Sequence, residues 1–123
     1  MIKEIAFTGS SVTDMKRARA FYEDVLGLKP SEEMAGGKWI EYEVGSGIFA
    51  ITNIDPKWTP SDQGTAIAFE VEDMDATIDK LKKRGATFFL DKSETPVCWT
   101  AIVYDPDRNK IVIHKRKTMT KLE

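Results

Sequence analysis

The sequence predicts an α+β fold of two tandem βαβββ modules, with a curved, cup-like mixed β-sheet and helices on its outer face. Helix-start signals recur 59 residues apart, at Asp14 and Asp73. Each helical segment ends at a glycine, Gly27 or Gly85. Strand-like segments precede and follow both helices, and joining two such halves buries faces that one half leaves exposed.

The first module is predicted to begin with an extended segment over residues 3–12. The Asp14 carboxylate is suited to accept the free backbone N–H groups of a helix start. An apolar stripe at helical spacing follows and ends at Gly27, which favours the left-handed conformation after a helix. Strands are predicted over residues 38–44 and 47–53, with Gly45-Ser46 as the hairpin turn between them.

The second module repeats this order. Apolar and other residues alternate over 65–71 with strand period, and Met74, Ile78 and Leu81 form the apolar stripe of the next helix. Strands are predicted over residues 86–90, 98–104 and 110–115, and residues 105–109 form a turn. Each half therefore reads β-α-β-β, with room for a third strand after its helix.

These elements divide the sequence into named regions. The whole chain, 1–123, is predicted to form a single domain. Module one spans about 1–54, the proline-containing linker about 55–64, module two about 65–117, and a C-terminal tail about 118–123.

Composition narrows the functional classes. Hydrophobic residues make up 41% of the chain, charged residues 31%, and the net charge is −2, so we expect no nucleic-acid partner and no membrane partner. Cys98 is the one cysteine, which excludes an intrachain disulfide and suits a reducing compartment. The N-terminal residues lack the layout of a signal peptide, so we expect a cytoplasmic protein.

Four motifs in register resemble the vicinal oxygen chelate superfamily. This group includes glyoxalase I, bleomycin-resistance proteins, fosfomycin-resistance enzymes and extradiol dioxygenases. The motifs are Val12-x-Asp14-Met15, Phe21-Tyr22-x-x-Val25-Leu26-Gly27-Leu28, Ala68-Phe69-Glu70-Val71-x-Asp73 and Asp105-Pro106-Asp107-x-Asn109. Together they cover both modules in the expected order, and the resemblance implies the predicted fold and a homodimer.

The resemblance also predicts where metal ligands would stand. Metal-using members place a histidine seven residues before the helix-capping aspartate and a carboxylate on the last strand of each half. In this sequence those positions are Phe7, Ala66, Ala50 and Val112, none of which offers a ligating side chain. We therefore expect no metal and no other cofactor.

His114 and Cys98 are the two candidate catalytic residues. His114 lies two residues after Val112 and shares its face, where it would act as a general base or hydrogen-bond a ligand. A partly exposed histidine at a strand end is the equally weighted alternative. Cys98 becomes a nucleophile if a base such as His114 lies beside it, although a buried structural cysteine is the commoner role.

The remaining candidates are aromatic and acidic. Strand alternation turns Trp39 and Glu41 away from the helix side, where they would suit a flat or cationic organic ligand. A solvated edge strand is the alternative for these two residues. Phe7 and Trp39 are the stacking candidates, and Glu41, Cys98 and His114 the polar ones. Trp58 lies in the linker. It either covers the mouth of a cleft or a partner subunit, or it is an ordinary surface residue.

Three functional hypotheses remain open. The first is a glyoxalase/bleomycin-resistance-like protein that binds a small organic molecule without metal. The second is a metal-independent lyase, isomerase or thiol-dependent enzyme that uses His114 with Cys98 or Glu41. The third is a non-catalytic interaction module. The fold does not choose among them, because one fold hosts many activities.

Overall fold

The computed structural model describes residues 1–117, so the predicted C-terminal tail of about 118–123 lies outside the described residues. The chain divides into two compact units. The first contains Met1–Asp62 and the turn Pro106–Asn109, and the second contains Gln63–Asp105 and residues 110–117. Among the described residues, no helix is both long enough and apolar enough to cross a membrane.

The first unit holds one helical segment and a four-stranded sheet. Its elements are β1 (Thr8–Ser11), α1 (Met15–Arg19) continuing into a π-helix (Ala20–Val25), β2 (Pro30–Met34), a 3₁₀ turn (Ala35–Gly37), β3 (Trp39–Val44) and β4 (Gly47–Thr52). The strand order is β1-β4-β3-β2. The β1–β4 pair is parallel, and the other two pairs are antiparallel.

The second unit repeats this topology. Its elements are β5 (Ile67–Glu70), α2 (Met74–Lys83), β6 (Thr87–Glu94), β7 (Cys98–Tyr104) and β8 (Lys110–Arg116). The strand order is β5-β8-β7-β6, with β5 and β8 parallel and the remaining pairs antiparallel. Each unit is thus β-α-β-β-β, which confirms the predicted α+β class and its two βαβββ modules.

Both predicted helix caps are present. Asp14 Oδ1 accepts a hydrogen bond from the Arg17 N–H at 3.0 Å, and Asp73 Oδ1 accepts one from the Ala76 N–H at 3.0 Å. These bonds satisfy backbone donors that a helix leaves free at its start. The helical segments end as predicted before Gly27 and Gly85, which adopt φ values of 77° and 81°.

One face of each sheet packs against its helix. In the first unit Tyr22 contacts Phe49, with ring centroids 5.2 Å apart, and Tyr42, at 6.4 Å. In the second unit the core is aliphatic and consists mainly of Met74, Ile78, Leu81, Ala101, Val103, Ile111 and Ile113. All of these side chains are buried, so the apolar stripes predicted for both helices do face a core.

Two strand predictions need correction. The extended segment over 3–12 was too long, because only Thr8–Ser11 pairs with β4 and the first seven residues belong to no strand. Strand β6 continues to Glu94, four residues beyond the predicted end at 90. It keeps its pairing with β7 across two register shifts, which a simple alternation pattern does not reveal.

Candidate functional site

One face of the first sheet points away from its helix. Tyr42 and Phe49 point toward the helical segment, so their strand neighbours point the other way. Gly9 pairs with Ala50, and Ala50 pairs with Glu41, which places all three on that opposite face. We call this surface the first helix-free face, and the residues considered on it are Phe7, Gly9, Trp39, Glu41 and Ala50.

Aromatic side chains gather on the first helix-free face. Phe7 and Trp39 form an edge-to-face pair with ring centroids 5.1 Å apart and an interplanar angle of 83°. A Cβ atom added to Gly9 would lie 3.1 Å from Cη2 of Trp58 and 3.5 Å from Cε1 of Phe7. Gly9 therefore gives the two rings room to approach. We call Phe7, Trp39 and Trp58 the aromatic patch.

Hydrogen bonding fixes part of this patch. The Trp39 Nε1–H donates to Oε2 of Glu41 at 2.9 Å, which orients the indole ring. Phe7 remains 44% exposed and Trp58 40% exposed. Exposed aromatic surface of this kind is typical of binding surfaces. Among the residues predicted from sequence, Phe7, Trp39 and Glu41 are thus brought together, and Trp58 joins them.

The second sheet has its own face without a helix, and a histidine–carboxylate pair stands on it. Glu70 and His114 are partners in the parallel β5–β8 ladder. Nδ1 of His114 lies 2.6 Å from Oε1 of Glu70, and Oε2 of Glu70 accepts the backbone N–H of Arg116 at 2.8 Å. Glu70 was not predicted as a site residue. Pairing of β5 with β8 places Glu70 beside His114, and this pairing is the feature that could have identified Glu70.

Electrostatics at this pair favour the ionised carboxylate. Burial acts to raise the pKa of Glu70, but the hydrogen bonds from Arg116 and His114, together with their charges, outweigh it and lower the pKa below its ordinary value. The side chains of His114 and Glu70 are 28% and 37% exposed. Nε2 of His114 makes no hydrogen bond within residues 1–117, so this nitrogen is open to a ligand.

Cys98 is engaged elsewhere. Its side chain is buried, and its Sγ lies 3.1 Å from Oγ1 of Thr95. In the β7–β8 ladder Cys98 pairs with Arg116, whereas His114 pairs with Thr100. No hydrogen bond joins Cys98 and His114 within the described part of the chain. The polar partner of His114 is therefore Glu70, and the thiol–imidazole contact considered from sequence is not formed.

The predicted metal positions carry no donor atoms in the structure. Gly9 pairs with Ala50 in the first ladder and Ala68 pairs with Val112 in the second, so Ala50 and Val112 occupy equivalent places. Phe7 and Ala66 are the residues directly before β1 and β5. In residues 1–117 no group of three or more His, Cys, Asp or Glu side chains is arranged to hold a metal. The side chains at the four positions that the resemblance indicates therefore offer no ligand to a metal ion.

Comparisons with known proteins identify the family and the fold. The sequence model of the Glyoxalase/Bleomycin resistance protein/Dioxygenase superfamily matches residues 4–113. TnmS3, an antibiotic binding protein from Streptomyces sp. CB03234, is 22% identical with a TM-score of 0.81, and the match covers 94% of this chain and 98% of that one. No functionally curated protein is significantly similar in sequence.

Two further solved structures share the fold. A glyoxalase/bleomycin resistance protein from Streptomyces sp. CB03234 is 22% identical with a TM-score of 0.74, covering 89% of this chain and 98% of that chain. Lactoylglutathione lyase from Agrobacterium tumefaciens is 17% identical with a TM-score of 0.75, covering 94% and 95%. Because these proteins include a binder and an enzyme, fold similarity alone does not select a function.

Proposed function

Because the chain belongs to the Glyoxalase/Bleomycin resistance protein/Dioxygenase superfamily, we propose that it binds a small, flat organic molecule on the aromatic patch. The observation that carries this proposal is the Phe7–Trp39 pair, with Trp39 oriented by Glu41. An oriented ring requires little further ordering when a ligand stacks on it, which favours binding. The fold shared with an antibiotic binding protein supports the same function.

The chemistry of the patch indicates the class of ligand. Ring faces and edges of Phe7, Trp39 and Trp58 suit an aromatic molecule, since offset and edge-to-face contacts stabilise aromatic pairs. Glu41 adds a carboxylate beside the Trp39 indole, and it favours a ligand with a positive charge or N–H donors. Ala50 on the same face is apolar and fully buried, so it offers no ligand to a metal ion.

Binding is tested by titrating a planar aromatic panel, led by cationic proflavine and anionic 1-naphthalenesulfonate, into the protein by isothermal calorimetry. We expect proflavine to bind more tightly, and Trp39→Ala to weaken its binding about tenfold through loss of stacking and burial. Glu41→Gln should reduce the preference for the cation. Trp99→Ala is the matched control, because Trp99 lies in the second unit between Lys92 and Lys117.

Two results would contradict the proposal. Equal losses for Trp39→Ala and Trp99→Ala would place binding away from the patch, provided that both variants melt like the parent protein. Saturable binding by no member of the panel would favour the non-catalytic interaction module instead.

The superfamily resemblance also supports proposals about the oligomeric state, the location and the metal content of the protein. We propose a cytoplasmic homodimer that works without metal. Light scattering should then report twice the chain mass, and elemental analysis of protein purified without chelator should find less than one bound metal ion per dimer. A monomer, or a stoichiometric metal, would overturn the respective part.

A second candidate function rests on the Glu70–His114 pair. A carboxylate that holds one nitrogen of an imidazole while the other nitrogen stays open is an arrangement used by general bases. In this hypothesis Nε2 of His114 takes a proton from water as the water attacks a carbonyl carbon. Cys98 is not required, because its Sγ is held at Thr95.

Hydrolysis of p-nitrophenyl acetate tests this candidate. The water attacks the ester, His114 accepts its proton, and p-nitrophenolate leaves. Since the chain contains one histidine, any histidine-dependent rate belongs to His114. We expect His114→Asn to abolish the rate above background, Glu70→Gln to lower it and alter its pH profile, and Cys98→Ser to leave it unchanged. A rate that survives in His114→Asn would eliminate this function.

A further inference from the structure

A cavity of about 310 Å³ lies at the end of the first sheet, where β1 and β4 finish and the segment after β4 begins. Ser11, Asn53, Asp55 and Trp58 are among its walls, and all of them belong to the first unit. The volume is at the lower end of the range for small-molecule sites. The superfamily's metal positions, Phe7, Ala66, Ala50 and Val112, are not among the lining residues.

One wall of the cavity contains an unsatisfied hydrogen-bond acceptor. Oδ1 of Asn53 is buried and has no hydrogen-bond partner within the described residues. Its backbone N–H is already used, because it donates to the Lys38 carbonyl oxygen at 3.2 Å. Buried acceptors in native proteins are almost always paired, so this oxygen calls for an N–H or O–H donor from an occupant.

Two hydroxyl groups of the cavity lining already have acceptors, and one carboxylate of the lining has an oxygen without a described partner. The Ser11 hydroxyl donates to the Trp58 carbonyl oxygen, and the Thr13 hydroxyl donates to Asp107. Asp55 Oδ1 accepts the Lys57 N–H at 2.8 Å, whereas Asp55 Oδ2 has no described partner in residues 1–117. Asp55 is also the one charged residue in the lining. The two unpaired acceptors, one of them on a carboxylate, therefore favour a donor that carries positive charge.

Trp58, three residues after Asp55, is the aromatic residue of the cavity lining. The Trp58 backbone N–H donates to the Asp55 carbonyl oxygen at 3.0 Å, which closes a tight turn and holds both residues in the cavity lining. A tryptophan ring attracts a cation through its negative face, and the attraction grows when the cation is partly desolvated. We propose that this cavity binds the ammonium group of a small organic amine, with Asn53 Oδ1 and Asp55 Oδ2 as acceptors.

This site goes beyond the proposed binding on the aromatic patch. The two share Trp58, whose ring edge also approaches Gly9. Their acceptors differ, because the patch uses Glu41 and the cavity uses Asn53 and Asp55. Variants of Asn53 and Asp55 therefore test the cavity without altering the patch.

The test is an NMR titration of ¹⁵N-labelled protein with benzylamine, benzyl alcohol and benzoate, which share a ring and differ in charge. We expect benzylamine to shift the Asn53 side-chain amide and the Trp58 indole saturably. Asp55→Asn should weaken it about threefold, as expected for an exposed ion pair. Asn53→Leu should weaken it about tenfold, and Asn53→Asp should strengthen it. Asp79→Asn, on an exposed turn of α2, is the matched control.

Three outcomes would overturn the proposal. Equal affinity for benzyl alcohol or benzoate would remove the role of charge. Unchanged affinity in both Asn53→Leu and Asp55→Asn would remove the named acceptors. No saturable benzylamine shift would mean that water alone satisfies Asn53. A Trp39→Ala variant separates the two sites, since it should weaken proflavine binding on the patch about tenfold and leave the benzylamine shifts at Asn53 intact.

Discussion

The two units share a backbone plan and differ in their side chains. Asp14 and Asp73 cap the two helices in the same way, and the two sheets have the same strand order. The first core is aromatic, however, and its helix changes to π-helix over Ala20–Val25, whereas α2 is a regular helix above an aliphatic core. The same strand pairing and helix caps are thus compatible with an aromatic core in one unit and an aliphatic core in the other.

The helix-free faces differ even more. The first carries the aromatic patch with Glu41, and the second carries the Glu70–His114 pair. Ala50 in β4 and Val112 in β8 occupy equivalent positions on the two faces, and both residues are apolar. The repeated backbone therefore forms a similar helix-free sheet face in each unit. The chemistry of each face depends on a few side chains that differ between the two repeats.

Removing an aromatic ring from the first core should have the largest effect. Phe49 is 2% exposed and packs against Tyr22 and Tyr42. Phe49→Ala should lower the free energy of unfolding by about 3–5 kcal/mol, since it removes buried contacts and leaves a cavity. Urea denaturation measures the change.

Phe89→Ala is the matched control in the second unit. Phe89 is 51% exposed and contacts Tyr104 and the Lys110 ammonium, so its loss should cost less than about 1 kcal/mol. Similar losses for Phe49→Ala and Phe89→Ala would show that the aromatic packing of the first core is not the feature that stabilises it.

The next effect concerns a hydrogen bond found in the first unit. The Tyr42 hydroxyl donates to Oε2 of Glu23 at 2.8 Å, and Glu23 also pairs with Arg19. Val103 holds the equivalent place in β7 and has no hydroxyl. Tyr42→Phe should lower the free energy of unfolding by about 1–2 kcal/mol, because the acceptor is charged and partly buried.

The same bond predicts a pH dependence at alkaline pH. Burial, followed by the hydrogen bond to Glu23, raises the pKa of Tyr42 above its ordinary value of 10.0. A group with a raised pKa in the folded state stabilises the protein below its unfolded pKa, and that contribution is lost as the pH rises above about 10. Stability measured between pH 8 and 11 should therefore fall more steeply for the parent than for Tyr42→Phe. Parallel curves would contradict this origin.

The sequence predicted most of the backbone plan because that plan depends on local signals. The Asp14 and Asp73 caps, the glycines after both helices and the hairpin at Gly45-Ser46 are encoded within a few residues. Strand β2 was foreseen only as room for another strand. Its residues, Pro30–Met34, are all exposed, so they show no alternation, and pairing with β3 determines the strand.

The candidate site was less accessible from sequence. Alternation placed Trp39, Glu41 and His114 on the faces where they are found, because side-chain direction has period two in a strand. It did not identify Glu70 as the partner of His114, since that contact depends on the parallel register of β5 and β8. The approach of Trp58 to Gly9 likewise depends on the path of the loop after β4.

Removing either helix cap should have a moderate and similar effect in the two units. Asp14→Ala and Asp73→Ala should each lower the free energy of unfolding by about 1 kcal/mol, because each leaves a backbone N–H without its acceptor. Asp79→Ala is the control, since Asp79 is exposed within α2 and alanine favours helix. If only one of the two substitutions lowers the free energy of unfolding, the two caps do not stabilise their helices equally, although their hydrogen bonds are alike.

The smallest effect is expected at the Glu70–His114 pair, and its pH dependence is informative. The pKa of Glu70 is lowered in the folded state, so the ionised carboxylate stabilises the protein above its ordinary pKa of 4.5, and this contribution is lost as the pH falls below that value. Because Glu70 is more than one-third exposed, solvent screening should keep the loss in Glu70→Gln below about 1 kcal/mol at pH 7.

Thermal unfolding of the parent and Glu70→Gln between pH 3 and 7 measures this contribution. The difference in melting temperature should be present at pH 7 and should shrink as the pH falls below 4.5, because protonation of the carboxylate removes its charge. Glu41→Gln is the matched control on the first helix-free face, where the carboxylate accepts a neutral indole N–H. A difference for Glu70→Gln that stays the same from pH 7 to pH 3 would mean that the side chain acts through packing. The second face would then lack the charge interaction that distinguishes it from the first.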